Sequence, residues 1–177
     1  MIDTEAANAA RDDDDGAITA GGEDNDTRPP DVVGGEKATL VAFLDYLREA
    51  VAVKVEGVAD DAARRPGVRS GTSLLGLLKH LAGVERVWFQ WAFEGRDPSP
   101  DLDMDPADSD TVASLLVDYR AAARRSNEII AACDDLGRVS VRTERSLRWI
   151  LVHMIEETAR HAGHADILRE RIDGLTG

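Results

Sequence analysis

The segment Ser146-Leu-Arg148-Trp149-Ile-Leu-Val-His153-Met-Ile-Glu156-Glu157-Thr-Ala-Arg160-His161-Ala-Gly-His164-Ala-Asp-Ile-Leu168 contains three of the four histidines of the chain. Its pattern predicts a helix over about 146–173, with Ser146 able to accept from the free amides of the first turn and Gly174 able to close the last. At about 100° per residue, with His153 as origin, His164, Glu157, Leu168 and His161 fall at about 20°, 40°, 60° and 80°. Ile150 and Met154 lie on the same stripe, and Glu156 falls off it. One carboxylate and three imidazoles therefore share the face that a helix of this kind turns towards a core.

An ionised glutamate on such a stripe is costly unless it is paired. Glu157 and His161 are one helical turn apart, so both can bind one ion from the same side. The fourth histidine, His80, lies between Leu77 and Val84 in another apolar segment. Two donors from one helix and one from a second would leave coordination positions open, the pattern of a catalytic ion rather than a structural one. The competing reading is a polar network in which Glu157 pairs with His153 and His161. A ferritin-like di-iron site is excluded, because position 159 is Ala and position 160 is Arg, so neither Glu156 nor Glu157 begins a Glu-x-x-His motif.

Three further helical segments precede this one. Leu40, Phe43, Leu44, Leu47, Val51, Val55 and Val58 mark a helix over 36–58. After Pro66-Gly67, Thr72 or Ser73 can cap a helix over 73–94 that is apolar almost all round, with Trp88 and Trp91 expected, like Trp149, in the core. Asp108 to Asp110 can cap a third helix, over 110–133. No strand pattern of useful length is present. The expected fold class is all-α, a four-helix bundle over residues 32–177.

Residues 1–31 carry ten acidic side chains against Arg11 and Arg28, a net −8, whereas the whole chain of 177 residues has a net charge of −13. Low apolar content and this charge mark 1–31 as a disordered acidic tail. The acidic balance argues against nucleic-acid binding and against docking on anionic membrane. No apolar run is long enough to cross a membrane, and Met1-Ile-Asp-Thr-Glu lacks the features of a secretory signal. The expectation is a soluble cytoplasmic protein. Cys133, the one cysteine, excludes an intramolecular disulfide framework and is expected to be a buried small residue.

The runs Thr72-Ser-Leu-Leu-Gly-Leu-Leu-Lys-His80-Leu-Ala-Gly-Val-Glu-Arg-Val-Trp-Phe89 and Ser146 to Arg169, with Gly35-Glu-Lys-Ala-Thr-Leu40 and Asp45-Tyr-Leu-Arg48, resemble the DinB/YfiT-like superfamily, and most closely its "mini-circle protein" branch. The resemblance covers about 32–177. It implies a bundle holding a divalent metal, zinc or nickel, with His80, Glu157 and His161 as ligands. His153 or His164 is the alternative third ligand. His153, His164, Arg148 and Trp149 are otherwise expected around the metal or the substrate pocket, and Arg148, Arg160 or Arg169 could hold a substrate carboxylate. Several relatives resemble enzymes that use mycothiol or bacillithiol as a small-molecule thiol against a small electrophile. The resemblance thus implies a thiol S-transferase. The alternatives are a hydrolase or isomerase using metal-bound water, and a non-catalytic metal-binding bundle, for which a homodimer through the apolar helices is the expected partner.

Overall fold

The computed structural model describes residues 29–97 and 101–175. The acidic tail expected over 1–31 lies, up to residue 28, outside the described residues. Five helices follow: α1 (Glu36–Val55), the short α2 (Asp60–Arg64), α3 (Leu74–Glu85), α4 (Val112–Ala131) and α5 (Leu147–Asp173). There is no strand among the described residues, only an isolated bridge between Val139 and Ser146. The four long helices make the bundle: α1 packs along α5, α3 along α4, and α3 also meets α5. None of the described helices is long and apolar enough to cross a membrane.

The helix ends follow local chemistry. Ser73 and Ser146 accept from the amides of Gly76 and Trp149, and Gly174 closes α5 at φ 78°, a conformation open to glycine. The first helix ends at Val55, three residues before the expected 58. Gly57, at φ 76°, turns the chain into α2, a helix too short for periodicity to reveal. Its Asp60 carboxylate accepts from the Val112 amide at 2.7 Å, and Arg64 donates to the carbonyls of Ala107 and Asp110. The start of α4 is thus held from outside. Its cap is Thr111, which forms a reciprocal box with Ser114, and not one of Asp108 to Asp110. The Asp110 carboxylate is engaged instead with the Ala107 amide.

The second long segment also departs from a plain α-helix. Beyond Glu85, α3 continues as a π-helical segment, Arg86–Phe93, in which the Glu94 amide bonds to the Phe89 carbonyl, five residues back. The wider turn puts Phe89, Ala92 and Phe93 into the core and leaves Trp88 and Trp91 half-buried. Trp88 packs against the core as expected, whereas Trp91 is only half-buried and Trp149 is 39% exposed.

The core has two parts. One joins α1, α2, α3 and α4 with the C-terminal part of α5, around Val51, Val55, Leu77, Leu78 and Leu168; the other surrounds Phe89, Phe93, Ile150 and Met154. Between α1, α3 and α4 lies a buried ion pair. Arg48 Nε and Nη2 donate to the two Glu85 oxygens at 2.7 and 2.6 Å, and Arg48 Nη1 donates to Asp45 and Asn127. Burial opposes the charge on Arg48, but Glu85 and Asp45 outweigh it and raise the guanidinium pKa.

Candidate metal centre

Glu157 and His161 face the same side of α5, as their one-turn spacing requires, and His80 reaches them from α3. Glu157 Oε1 lies 3.0 Å from His161 Nε2 and 3.4 Å from His80 Nε2. The three donor atoms all lie within 4.8 Å of one another. Donors around one ion, with bonds of about 2.0–2.1 Å, sit roughly 2.8–3.0 Å apart in octahedral and roughly 3.3–3.4 Å apart in tetrahedral geometry. Glu157 and His161 are buried and His80 is half-buried.

The protons favour the same reading. His80 Nδ1 lies 3.0 Å from the Leu102 carbonyl oxygen. A carbonyl only accepts, so Nδ1 carries the proton and the neutral ring has its lone pair at Nε2. That lone pair faces a carboxylate oxygen. An imidazole flanked by oxygen acceptors at both nitrogens must either take a second proton or share a cation with its neighbour. Two imidazole nitrogens and one carboxylate oxygen fit a divalent ion such as zinc.

Glu157 is ionised. Burial alone would raise its pKa, but the imidazoles of His80 and His161 and the charge of Arg160 hold it below the ordinary carboxylate value. Its Oε2 accepts from Arg160 Nη1 at 2.7 Å, which leaves Oε1 turned to the imidazoles. His161 is shifted down: burial lowers its pKa more than Glu157 raises it, which favours the neutral, ligand-competent ring.

A strap of backbone orients His80. A Cβ on Gly76 would lie 2.3 Å from the Met104 carbonyl oxygen, and one on Gly83 would lie 2.3 Å from that of Asp101. Glycines at both positions let the 101–105 segment lie directly on α3, with the Leu102 carbonyl at His80 between them. Lys79 Nζ donates to the Asp105 carbonyl at 2.6 Å and fastens the strap further. Sequence reasoning missed this part. The available signal was two glycines seven residues apart on one helix, bracketing the histidine.

The remaining residues expected around the site are spread along α5. His164 is exposed, and its Nδ1 lies 3.5 Å from His161 Nδ1, the ring nitrogen of His161 that does not face Glu157. His153 stacks on Trp149, centroids 5.1 Å apart, and meets Trp88 edge-on at 4.7 Å; its Nδ1 is 3.9 Å from Glu156. The pairing of His153 with Glu157 expected for a pure polar network is not among the contacts of either residue. Arg148 is held by Glu36 at the start of α1. Arg160 is held by Glu156 and Glu157, and Arg169 by Asp173 and the carbonyls of Lys54 and Glu56. None of these three arginines is left unpaired for a substrate carboxylate. Cys133 is buried beyond the end of α4, in the core group around Phe89 and Ile150, with its thiol donating to the Asp135 carbonyl.

The family model described as mycothiol-S-transferase matches residues 39–174, well over half of the chain. No curated protein and no solved structure matches the chain significantly.

Proposed function

The chain belongs to the mycothiol-S-transferase family, within the DinB/YfiT-like superfamily, and from that premise we propose that it is a metal-dependent enzyme that joins a low-molecular-weight thiol to a small electrophile. The observation that carries this reading is the convergence of His80 Nε2, Glu157 Oε1 and His161 Nε2. In this proposal these three atoms are the ligands of one divalent ion, zinc or nickel. An ion bound there lowers the pKa of a thiol it coordinates and so supplies a thiolate at neutral pH.

The protein's own groups prepare for that. Glu157 contributes one negative charge among neutral imidazoles, which tempers the positive charge of the centre. Arg160 fixes which oxygen Glu157 presents. The Leu102 carbonyl fixes the His80 tautomer, as partners of metal-bound histidines do. His164 is placed to orient His161 through Nδ1. Three protein donors leave room for one external ligand. The chain's single thiol, Cys133, is buried in the core, so the sulfur must arrive from outside. Mycothiol is the co-substrate that the family membership favours. The catalytic unit in this proposal is residues 32–177, and the acidic segment 1–31 takes no part in the chemistry.

The test is turnover by metal-loaded protein. With a generic alkyl halide, consumption should require both metal and thiol, and mycothiol should outperform glutathione and free cysteine. Metal-dependent turnover without thiol would support a hydrolase or isomerase instead. No thiol-dependent rate across the panel would contradict the proposal.

A further inference from the structure

Glu156 is not one of the three converging residues, yet it is tied to them. On the wheel of α5, with His153 as origin, Glu156 falls at about 300°, Arg160 at about 340° and Glu157 at about 40°. Arg160 therefore lies between the two carboxylates, four residues after one and three after the other. Both spacings bring side chains together on a helix surface. One guanidinium can thus join the outward carboxylate to the inward one.

The side chains make this bridge. Arg160 Nη1 donates to Glu157 Oε2 at 2.7 Å, and Arg160 Nη2 donates to Glu156 Oε1. The second Glu156 oxygen stands 3.9 Å from His153 Nδ1, whose ring stacks on Trp149 and meets Trp88 edge-on. Among the described residues, Arg160 and His153 are the polar partners of Glu156, and no member of the ligand cluster is one. We propose that Glu156 is a positioning residue for the metal centre: as the second anchor of Arg160, it keeps Glu157 Oε2 turned from the ion, so that one coordination position stays open for the thiol. The inference rests on the S-transferase reading and adds how the place of the thiol is kept.

Side-chain freedom is the first reason. The Arg160 and Glu156 side chains are 52% and 53% exposed, whereas that of Glu157 is 12% exposed. An exposed arginine held at one point keeps many rotamers, and an exposed ion pair is worth little by itself. Held at both Nη atoms, the planar guanidinium has its orientation set, and so has the oxygen it bonds. The bridge orients Glu157 and adds little to stability.

Coordination is the second. A carboxylate can give an ion one oxygen or two. His80 Nε2, His161 Nε2 and Glu157 Oε1 already supply three donors. Glu157 Oε2 as a fourth would fill the position that an external sulfur needs in a four-coordinate site. The hydrogen bond from Arg160 occupies that oxygen, and Glu156 holds Arg160 in place.

The experiment uses the full chain loaded with cobalt(II), a stand-in for zinc that absorbs more strongly in the visible when four-coordinate than when five-coordinate. 2-Mercaptoethanol probes the open position through its sulfur-to-cobalt charge-transfer band. Glu156→Gln should shift the visible spectrum towards that of the five-coordinate ion at unchanged cobalt content. It should also weaken thiol binding about threefold to tenfold, less than the loss of a direct partner of a ligand costs. Arg160→Gln should do the same to at least that extent, and the double variant should equal Arg160→Gln alone, because Glu156 acts through Arg160. Metal-free variants should unfold with temperature as the wild type does. An unchanged spectrum or an unchanged thiol affinity in Glu156→Gln overturns the proposal, as does a Glu156→Gln effect that persists in the Arg160→Gln background. Wild type that takes up no cobalt contradicts the metal centre and this proposal with it. Cobalt uptake with no charge-transfer band contradicts the S-transferase reading, and the visible spectra of the variants then decide the role of Glu156.

Discussion

His80 Nδ1 meets the Leu102 carbonyl oxygen at 3.0 Å, and the strap that carries this carbonyl rests on Gly76 and Gly83, on either side of the histidine. The contact assigns the tautomer of His80 and aims Nε2 at Glu157. It makes two glycines without functional groups part of the centre. Gly83→Ala places a methyl carbon where the Asp101 carbonyl now lies, so the strap must lift. Metal affinity should then fall by about tenfold to a hundredfold. NMR of the metal-free protein should show the His80 Nδ1 proton, held by the Leu102 carbonyl in the wild type, exchanging faster with solvent. Unchanged exchange and unchanged affinity would remove the strap from the account.

Acid should act on this centre in a defined direction. The folded-state pKa values of His161 and Glu157 both lie below their ordinary values. The unfolded chain therefore takes up these protons first, and folded stability rises with pH through both transitions. For His161 the contribution is complete above about pH 6.5, its ordinary value, and is lost as pH falls towards the lowered one; Glu157 follows in the carboxylate range. Thermal denaturation of metal-free protein between pH 8 and pH 4 should show this decline. His161→Gln should flatten its upper part.

Stability should depend strongly on an ion pair that is not part of the centre. Arg48 and Glu85 are buried together, so Glu85→Ala leaves a guanidinium with only Asp45 and Asn127. The expected loss is about 3 kcal/mol or more, read by urea denaturation. Arg48→Met combined with Glu85→Leu should recover most of it, because the cost lies in the unpaired buried charge.

The four long helices were legible because their apolar residues repeat at helical spacing and Ser73, Ser146 and Gly174 mark ends. The Glu157, His161 and His80 grouping was legible too, since one-turn spacing and the scarcity of histidine leave few ways to combine them. The rest depended on contacts between distant segments. The π-helical stretch after Glu85, the strap over Gly76 and Gly83, and the Arg48–Glu85 pair leave no periodic trace. The helical wheel also treated His153, His161 and His164 alike. In the fold only His161 is buried, because α3 covers the middle of that stripe while His164 lies next to an open cavity.

Cys133 offers a clean separation of internal from external sulfur. Cys133→Ser retains a small buried donor to the Asp135 carbonyl. Thiol-dependent turnover should stay within about twofold of wild type, since the change leaves the centre's own donors in place. A loss of activity at unchanged metal content would show that the chain's own thiol reacts.

The central claim is most directly tested by metal stoichiometry. Wild-type protein, loaded with zinc and freed of excess, should hold one ion per chain by elemental analysis, and His80→Ala, Glu157→Ala and His161→Ala should each lose it while remaining helical by circular dichroism. Wild type that binds no ion, or stoichiometric zinc that survives all three substitutions, would contradict the account.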